Sequence, residues 1–515
     1  MTLTLRIDDL TEPALTRLAE EVAFMLTPGD LVTLSGDLGA GKTTVARALI
    51  RAAMQDWSLD VPSPTFTLVQ TYACTRFEIA HVDLYRTTSA DELDELGLDD
   101  VLKTGVALIE WPERGDGRLG DVTLAIELHE AEVGNRRSVV LSVPPHAAQR
   151  LQRFSDIRAF LQGAGDWAYP TVHMTYLQGD ASPRRYARLT ASDGRRALLM
   201  DSPQQADGPA VQDGLPYSRI AHLAEDVCPF VAIANGLRAR GISAPEILVA
   251  DLDAGLLLIE DFGDAVFGAE LKRGAAQLPL WQAATDTLVA LRAHPPGLTL
   301  TLPDGAPHHL APLDPRILSI EVSLLLDWFW PAIFGTAASD DVRASFMTAW
   351  SPLFATVLAG PSGWLLRDYH SPNLIALGDR PPPRNVGVID FQDAMTGPPA
   401  YDLVSLLQDA RVDVSADIEM ECLARYFEAV SRLEPNFDAA QFSTAYAVLG
   451  AQRTTKILGI FARLAKRDGK RQYLAHMPRL FDYLNRNLQH PELVDLRAWY
   501  DEHVPTPVRR RPLTI

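Results

Sequence analysis

One stretch decides how the first part of this chain folds: Gly36-Asp37-Leu38-Gly39-Ala40-Gly41-Lys42-Thr43-Thr44. It has the form G-x-x-x-x-G-K-T, and it lies between the apolar run 31–34 and the helical pattern of 44–50. Glycines let the backbone turn tightly so that its N–H groups point at phosphate oxygens, and the start of a helix adds partial positive charge. The stretch therefore predicts a nucleotide-binding loop, the alternative being a plain glycine-rich turn.

Different residues of the loop are expected to contact the phosphates and the Mg²⁺ ion. Lys42 has the charge and the length to reach the β- and γ-phosphates, and Thr43 offers its hydroxyl to Mg²⁺. The residues expected to contact the nucleotide are Gly36, Asp37, Gly39, Ala40, Gly41, Lys42, Thr43 and Thr44.

Two carboxylates follow apolar runs further along the chain. Asp83 lies near the end of the predicted strand 77–85, and Glu110 lies near the end of the predicted strand 106–112. Strands that alternate with helices predict an α/β domain with a largely parallel sheet, in which ligands bind at the carboxyl ends of the strands. We therefore expect Asp83 to bind Mg²⁺ and Glu110 to act as a catalytic carboxylate that positions water or the metal. Ordinary strand-end polarity is the alternative.

Four motifs in this order resemble the ATPase subunit of the bacterial tRNA threonylcarbamoyladenosine machinery, the TsaE family. They are GDLGAGKTT (36–44), SPTFTLV (63–69), HVDLYR (81–86) and LIEWPERG (108–115). The resemblance implies a P-loop ATPase domain over residues 1–145 that acts within a complex holding the threonylcarbamoyl-transferase subunit. That complex modifies adenosine 37 of tRNA, so tRNA would be met only through the complex.

Length and composition limit the remaining possibilities. A chain of 515 residues is expected to form about two to four domains. Its 47 basic and 66 acidic residues give a net charge of −19, which argues against broad nucleic-acid binding by the whole surface. The cysteines Cys74, Cys228 and Cys422 form no C-x-x-C pair, as is typical of a reduced, cytoplasmic setting.

Membrane attachment is not expected. Residues 1–10 lack the pattern of a signal peptide. The most apolar stretch, 317–334, is interrupted by Glu321, Asp327 and Pro331, which favours a buried helix over a membrane span.

A proline-containing segment separates two parts of the chain. Residues 143–150 break a strand pattern and lack apolar periodicity, so we place a stiff linker at 146–151. The second domain is then 152–505, and it contains no further loop of the first type.

The second domain carries a different phosphoryl-transfer pattern. Residues 366–375 contain R-D-x-x-x-x-N, and the apolar run 386–389 ends in Asp390-Phe391. Asp368 is the predicted catalytic base for a substrate hydroxyl, and Asn373 and Asp390 are the predicted Mg²⁺ ligands. Asp402, in the following helix, is expected to brace this loop. Three unrelated polar residues are the alternative.

Weaker signals suggest where ATP would lie. The turn at 179–189 offers Ser182, Arg184 and Arg185 to phosphates, although an ordinary hairpin has the same pattern. Glu260 lies in an acidic turn that can present backbone groups to adenine. The strand that carries a lysine in protein kinases has Met200 here, so we hypothesise that Arg184, Arg185 or Arg188 supplies the missing charge.

Taken together, these features resemble the aminoglycoside-phosphotransferase and choline-kinase superfamily, and within it the anomeric amino-sugar kinases of the AmgK type. The segments that carry the finer resemblance are GDASPRRYARL (179–189), LLMDSP (198–203), LLLIEDFGD (256–264), 320–329 and LRDYHSPNL (366–374). The resemblance implies an α+β, two-lobed, protein-kinase-like fold, with an N-lobe near 152–262 and a C-lobe near 263–505. It also implies ATP-dependent phosphorylation of the anomeric hydroxyl of N-acetylmuramate or N-acetylglucosamine, as in cell-wall recycling.

By the same resemblance, Glu321 and Trp328 are candidates for the sugar pocket, and a tryptophan face packs well on a pyranose ring. A buried core tryptophan is the alternative. Two other functions stay open: a kinase for another small alcohol of the aminoglycoside or choline type, and a nucleotide-binding scaffold that regulates the ATPase.

Overall fold

The computed structural model describes residues 2–513 except 66, 88–92, 94–95, 131–135, 169–171, 178–183 and 295–298. The chain forms two compact units. The first contains Met1–Pro203 and Leu248–Asp261, and the second contains Gln204–Ile247 and Phe262–Ile515. The strands predicted for a kinase N-lobe therefore join the same unit as the predicted P-loop domain. The boundary at 146–151 stays a prediction about how the two domains are joined.

The first unit begins with a sheet that has, in its described part, seven strands in the order β1-β7-β6-β2-β5-β4-β3. Its central strand β2 runs parallel to β5 and β6, and β5 runs parallel to β4. The elements are β1 (Leu3–Leu10), α1 (Glu12–Met25), β2 (Leu31–Gly36), α2 (Lys42–Met54), β3 (Val69–Ala73), β4 (Glu78–Asp83), α3 (Leu98–Leu102), β5 (Val106–Glu110), β6 (Leu124–Glu130) and β7 (Arg137–Val143). The predicted α/β class is confirmed.

Local sequence explains how the phosphate loop is placed. The first four residues of β2 and all of β5 are buried, as expected for parallel strands covered on both faces. The chain then turns at Gly36, where φ is 135° and an added Cβ would lie 2.4 Å from the Leu128 carbonyl oxygen. Only glycine tolerates that approach, so the loop is forced to begin at the carboxyl end of β2.

The segment predicted as a linker is largely helical. A short 3₁₀ turn, Pro145–Ala147, leads directly into α4 (Ala148–Gln162), so most of 146–151 is helical. The helix forms because its apolar residues Leu151, Phe154 and Leu161 bury themselves in the core of the first unit.

A second sheet in the first unit has the order β13-β14-β10-β9-β8, with antiparallel neighbours on both sides of β10. One face of this sheet shares a continuous apolar core with α1, α2 and α4. The elements of this part of the chain are β8 (Val172–Leu177), β9 (Arg185–Ala191), β10 (Arg196–Asp201), β11 (Ala210–Gln212), β12 (Leu215–Pro216), α5 (Tyr217–Ile220), α6 (Cys228–Arg238), β13 (Ile247–Asp251) and β14 (Leu256–Glu260).

Buried polar contacts supplement this shared core. Arg158 of α4 pairs with Glu21 of α1 at 2.5 Å, and the two side chains are 9% and 3% exposed. The Glu20 carboxylate accepts the backbone N–H of Met174 in β8 at 2.9 Å. Because helix α1 belongs to the P-loop domain and β8 to the second sheet, the two parts are joined by packing as well as by the chain.

The second unit is rich in helices, as predicted for a C-lobe. Besides β11, β12, α5 and α6 it contains α7 (Phe267–Lys272), α8 (Gln277–Arg292), β15 (Thr299–Thr301), β16 (Pro307–His309), α9 (Pro315–Leu324), α10 (Trp330–Phe334), α11 (Asp340–Leu358), β17 (Gly363–Leu365), β18 (Leu374–Ala376), β19 (Val386–Val388), β20 (Met395–Gly397), α12 (Ala400–Leu407), α13 (Ala416–Leu433), α14 (Ala439–Asp468), α15 (Met477–Asn487), α16 (Val494–His503) and α17 (Thr506–Arg509).

The most apolar helical run is Pro315–Phe334, which α9 and α10 share with a π-helical turn at Leu325–Phe329. Its length and composition would suffice to cross a membrane, but half of its most apolar window is buried inside the fold. Helix α14 passes very close to this run at Gly459. A Cβ added to Gly459 would lie only 2.3 Å from the backbone of Leu324. A glycine at this position lets the two helices approach closely.

The shared core of the first unit leads to a prediction. Replacing Arg158 by Met should lower the stability of the first unit by roughly 1–3 kcal/mol, because the Glu21 carboxylate loses its buried partner while Arg17, 3.5 Å away, remains. Hydrogen–deuterium exchange should rise in α1 and in β8–β10 together.

The matched control is Arg195→Met, which removes an exposed ion pair with Asp193 from the same sheet and should leave exchange unchanged. Faster exchange in α1 alone, with β8–β10 unaffected, would show that the two parts unfold independently.

Candidate active sites

The phosphate loop holds its lysine against its own backbone. Lys42 is 5% exposed, and its Nζ donates to the carbonyl oxygens of Gly36 at 2.7 Å and Asp37 at 2.9 Å. The same nitrogen lies 3.4 Å from the centre of the Trp111 ring, a cation–π arrangement. Desolvation is the main reason that the pKa of Lys42 lies below its usual range. The lysine is thus placed at the mouth of the loop, where phosphates would replace its carbonyl partners.

The two predicted carboxylates lie side by side. Asp83 and Glu110 are register partners at the ends of the parallel strands β4 and β5. The Thr43 hydroxyl donates to Glu110 Oε2 at 2.8 Å, and the Ser63 hydroxyl donates to Asp83 Oδ2 at 2.6 Å. The structure therefore brings Thr43, Asp83 and Glu110 to one edge of the sheet. Their hydroxyl and carboxylate oxygens are the donor types that Mg²⁺ prefers.

Two further residues of this site were not predicted. His81 is fully buried, and its Nε2 lies 2.9 Å from Glu110 Oε1, so it orients that carboxylate from behind. Arg137 of β7 donates to the carbonyl oxygen of Ala40 at 3.0 Å and braces the loop. The sequence did contain a signal for His81, because it is a polar residue within the otherwise apolar middle of β4. The residues around Arg137 give no indication of its contact with a loop almost a hundred residues away.

The second unit assembles the other predicted catalytic residues. Asp368 lies between β17 and β18, and its side chain is 45% exposed. The Asn373 amide donates to the backbone carbonyl of Asp368 at 2.9 Å and lies 3.4 Å from Asp390 Oδ2. Asp390 follows β19 with a φ of 59°, and Gln392 donates to its Oδ1 at 2.9 Å. Asn373 and Asp390 can hold a metal ion next to a carboxylate that remains open to a substrate.

Asp402 braces the catalytic loop as predicted. Its carboxylate accepts the backbone N–H groups of Leu366 at 2.6 Å and Arg367 at 2.9 Å. Burial raises its pKa to about 7 in spite of these two bonds. Arg367 has a φ of 68°, a conformation that needs such support from its surroundings.

A buried charge network holds the loop from the opposite side. The Arg367 guanidinium donates to Glu321 at 2.8 Å, and Lys456 of α14 donates to the same carboxylate at 2.6 Å. Gln452 donates to its second oxygen at 2.8 Å, and Arg453 donates to the Arg367 carbonyl oxygen at 2.8 Å. The catalytic loop is therefore tied to α9 and α14 by charged hydrogen bonds.

The position of Glu321 corrects the expectation that it lines a sugar pocket. Its side chain is 1% exposed, and both oxygens already accept hydrogen bonds from protein groups. Glu321 contacts the loop of Asp368 through Arg367, which is the geometry of a positioning residue. Trp328 lies half-buried in the π-helical turn, and its contact with a sugar stays a prediction.

Neighbouring groups also lower the pKa of Asp368, the predicted catalytic carboxylate. Desolvation would raise the pKa of Asp368, but His370, Lys456 and Arg453 outweigh this effect and hold the pKa below its usual range. Asp368 is therefore ionised at neutral pH, as a group that accepts a proton must be.

The hypothesis on the missing lysine is corrected in part. Met200 is buried, and strand alternation places it on the same face as Arg188, whereas Arg185 lies on the face that packs against α1. There the Arg185 guanidinium pairs with Asp201 and lies 5.0 Å from the ring of Phe24. Arg185 therefore cannot replace a lysine at the position of Met200, because it points to the other side of the sheet.

The other residues predicted to contact ATP are Arg188, Ser182, Arg184 and Glu260. Arg188 has the appropriate face, where it pairs with Asp261 at 2.6 Å. Ser182 lies outside the described residues, and the nucleotide contacts of Arg184 and Glu260 stay predictions.

The fold and these two sets of residues define an ATP-dependent phosphotransferase that is preceded by a P-loop NTPase domain. The model of the phosphotransferase enzyme family matches residues 173–442, and the model of the threonylcarbamoyl adenosine biosynthesis protein TsaE matches residues 10–139. The chain belongs to both families, one after the other along its length.

Two named relatives, a kinase and a TsaE protein, agree with the two assignments. An N-acetylmuramate/N-acetylglucosamine kinase of Caulobacter vibrioides is 38% identical over 364 residues, which cover 68% of this chain and 97% of the relative. A tRNA threonylcarbamoyladenosine biosynthesis protein TsaE of Rickettsia conorii is 44% identical over 174 residues, which cover 34% of this chain and 94% of the relative. A putative aminoglycoside phosphotransferase of Ralstonia eutropha, a solved structure, is 12% identical with a TM-score of 0.41 and covers 68% of this chain and 98% of its own.

The contact between His81 and Glu110 leads to a prediction. In a background in which Asp368→Asn silences the second site, His81→Asn should lower the ATPase turnover number by about tenfold, because Glu110 loses the group that orients it. The Michaelis constant for ATP should change little, since the phosphate loop is untouched. Steady-state phosphate release measures both quantities.

The matched control is His129→Asn, which removes an exposed histidine 3.3 Å from Glu127 and should leave both constants unchanged. An unaltered turnover number in His81→Asn would contradict the positioning role of His81.

Glu321 leads to a prediction on pH. Desolvation raises its pKa, but Lys456 and Arg367 outweigh this and lower it from 4.5 to about 2. The stability that it contributes is therefore present above about pH 4.5 and is lost as the pH falls toward 2. Glu321→Gln should cost roughly 3–5 kcal/mol at neutral pH, because two buried cations lose their counter-charge.

Urea unfolding at a series of pH values tests this account. Between pH 4.5 and 2, the unfolding free energy of the wild type should decrease more steeply than that of the variant. Parallel curves would mean that the Glu321 network does not stabilise the fold.

Proposed function

We propose that this chain carries two ATP-dependent activities. The C-terminal part phosphorylates the anomeric hydroxyl of N-acetylmuramate or N-acetylglucosamine, giving the 1-phosphate in cell-wall recycling. The N-terminal part is an accessory ATPase for the threonylcarbamoyladenosine modification of tRNA. The observation that carries the kinase proposal is the Asp368, Asn373 and Asp390 arrangement, in a chain that covers 97% of a relative with this named activity.

The geometry of the second unit supports phosphoryl transfer to a hydroxyl. The ionised, partly exposed Asp368 carboxylate accepts the proton of the sugar hydroxyl as its oxygen forms a bond to the γ-phosphorus of ATP. The bond between that phosphorus and the β,γ-bridging oxygen breaks, and ADP leaves with the bridging oxygen. Mg²⁺, held by Asn373 and Asp390, would neutralise the phosphate charge. Asp402 and Glu321 keep the loop in place during the reaction.

The proposal for the first unit uses its own residues. The loop 36–44 would hold the phosphates of ATP, and Lys42 would exchange its carbonyl partners for phosphate oxygens. Thr43 and Asp83 would bind Mg²⁺, and Glu110 would position the attacking water. By similarity to TsaE proteins, this unit acts with the subunits of the threonylcarbamoyl-transferase complex and meets tRNA only through them. The cytoplasm, where ATP and tRNA are present, is the compartment that this proposal requires.

Product analysis tests the kinase proposal. With ATP and N-acetylmuramate, phosphorus NMR should show a phosphate on the anomeric oxygen for the wild type and for Thr43→Ala, which disables only the phosphate-loop site. Asp368→Asn should reduce the rate by about 10²–10⁴-fold, because the general base is lost.

A phosphate found only on an aminoglycoside or choline would overturn the sugar assignment. A wild type that phosphorylates none of these alcohols, while Asp368→Asn leaves assembly with the partner subunits intact, would favour a regulatory scaffold.

A further inference from the structure

Helix α14 carries a row of basic residues that begins at the catalytic loop. Arg453, Lys456 and Arg463 are three and seven residues apart, so they share one face of the helix. The row ends about 15 Å from its start, at a rise of about 1.5 Å per residue. Arg453 and Lys456 belong to the charge network around Glu321, whereas no described hydrogen bond joins Arg463 to that network.

The first two residues are occupied by protein partners. Arg453 donates to the carbonyl oxygen of Arg367 at 2.8 Å, and Lys456 donates to Glu321 at 2.6 Å. Lys456 also lies 3.5 Å from the Tyr401 hydroxyl. Both side chains therefore serve the catalytic loop and cannot easily turn to another anion.

Arg463 differs from them. Its side chain is half-buried, and its Nε is buried without a hydrogen-bond partner among the residues that the structure describes. No ion pair joins it to a described carboxylate, whereas the next arginine on this face, Arg467, pairs with Asp468 at 2.6 Å. The Asp468 carboxylate is also within electrostatic reach of Arg463, but it is bonded to Arg467, so a bound anion would stabilise the half-buried Arg463 guanidinium.

Neighbouring groups connect Arg463 with the catalytic site. Tyr217 lies within electrostatic reach of Arg463 and also of Glu321, Lys456 and Arg367. Burial is the main cause that raises the pKa of Tyr217, so its hydroxyl stays neutral and can donate a hydrogen bond. Arg463 itself lies seven residues, about two helical turns, beyond Lys456 on α14. Basic side chains thus extend along this face of α14 from the loop of Asp368 to Arg463.

The approach of α9 to α14 places this region beside a predicted sugar-binding residue. Gly459 lies between Lys456 and Arg463 and packs against the backbone of Leu324. The π-helical turn that carries Trp328 begins at the next residue. A sugar held near Trp328 and Asp368 would have its substituents near this part of α14.

We propose that Arg463 binds the carboxylate of an acidic amino sugar and thereby sets the preference of the kinase for the acidic over the neutral sugar. The proposal rests on the proposed kinase function. N-acetylmuramate carries a lactyl carboxylate that N-acetylglucosamine lacks, and a guanidinium binds a carboxylate through two parallel hydrogen bonds. Arg463 is then a specificity-determining residue that leaves the phosphoryl transfer itself to Asp368.

Steady-state kinetics with both sugars tests this assignment in the full chain. Arg463→Met should lower kcat/KM for N-acetylmuramate by about tenfold to a hundredfold, the effect of losing one charged hydrogen-bonded contact. The constant for N-acetylglucosamine should change by less than about threefold. Arg463→Lys, which keeps the charge but not the paired donors, should restore part of the loss.

Arg467→Met is the matched control on the same helix face and should leave both constants unchanged. Equal losses for the two sugars, or no loss for either, would overturn the role of Arg463. A wild type that phosphorylates neither sugar would instead overturn the proposed function, so the two failures are distinguishable.

Discussion

The buried carboxylate of Glu321 is the interaction on which the kinase site depends. It receives Arg367 from the catalytic loop and Lys456 from α14, so one anion fixes two cations that would otherwise repel each other. Arg367 precedes Asp368 directly, and its left-handed backbone is sustained by this pair together with Asp402. The network costs free energy to bury, and it gives the catalytic carboxylate a defined position and nearby positive charge.

In the phosphate-loop site, a sheet positions the acidic residues. Parallel pairing of β4 with β5 places Asp83 beside Glu110, and the start of α2 delivers Thr43 to the Glu110 carboxylate. In both sites the predicted catalytic carboxylate has a supporting neighbour. His81 contacts Glu110 in the first unit, and Arg367, which Glu321 holds, directly precedes Asp368 in the second. The two predicted nucleotide sites therefore have separate supports, and the kinase-like sheet that packs on α1 lies in the first unit.

The sequence alone predicted the residues whose spacing is local. The loop 36–44, the strand-end carboxylates Asp83 and Glu110 and the loop from Asp368 to Asn373 each lie within one short segment, so their chemistry is visible in the order of residues. Contacts between distant segments were missed or misassigned. Glu321 pairs with Lys456, which lies more than a hundred residues later in the chain. Only the observed strand register shows that the Arg185 side chain lies on the opposite face of the sheet from Met200. The helical form of 148–150 was missed because these residues show no apolar periodicity of their own.

We propose above all that one chain holds two separate ATP sites. Equilibrium binding of a non-hydrolysable ATP analogue with Mg²⁺ to the full chain measures this most directly. We expect two bound nucleotides per chain. Lys42→Ala should abolish binding at the phosphate-loop site, and Asp390→Asn should abolish binding at the kinase site. A single bound nucleotide in the wild type, or a loss of both in either variant, would contradict this proposal.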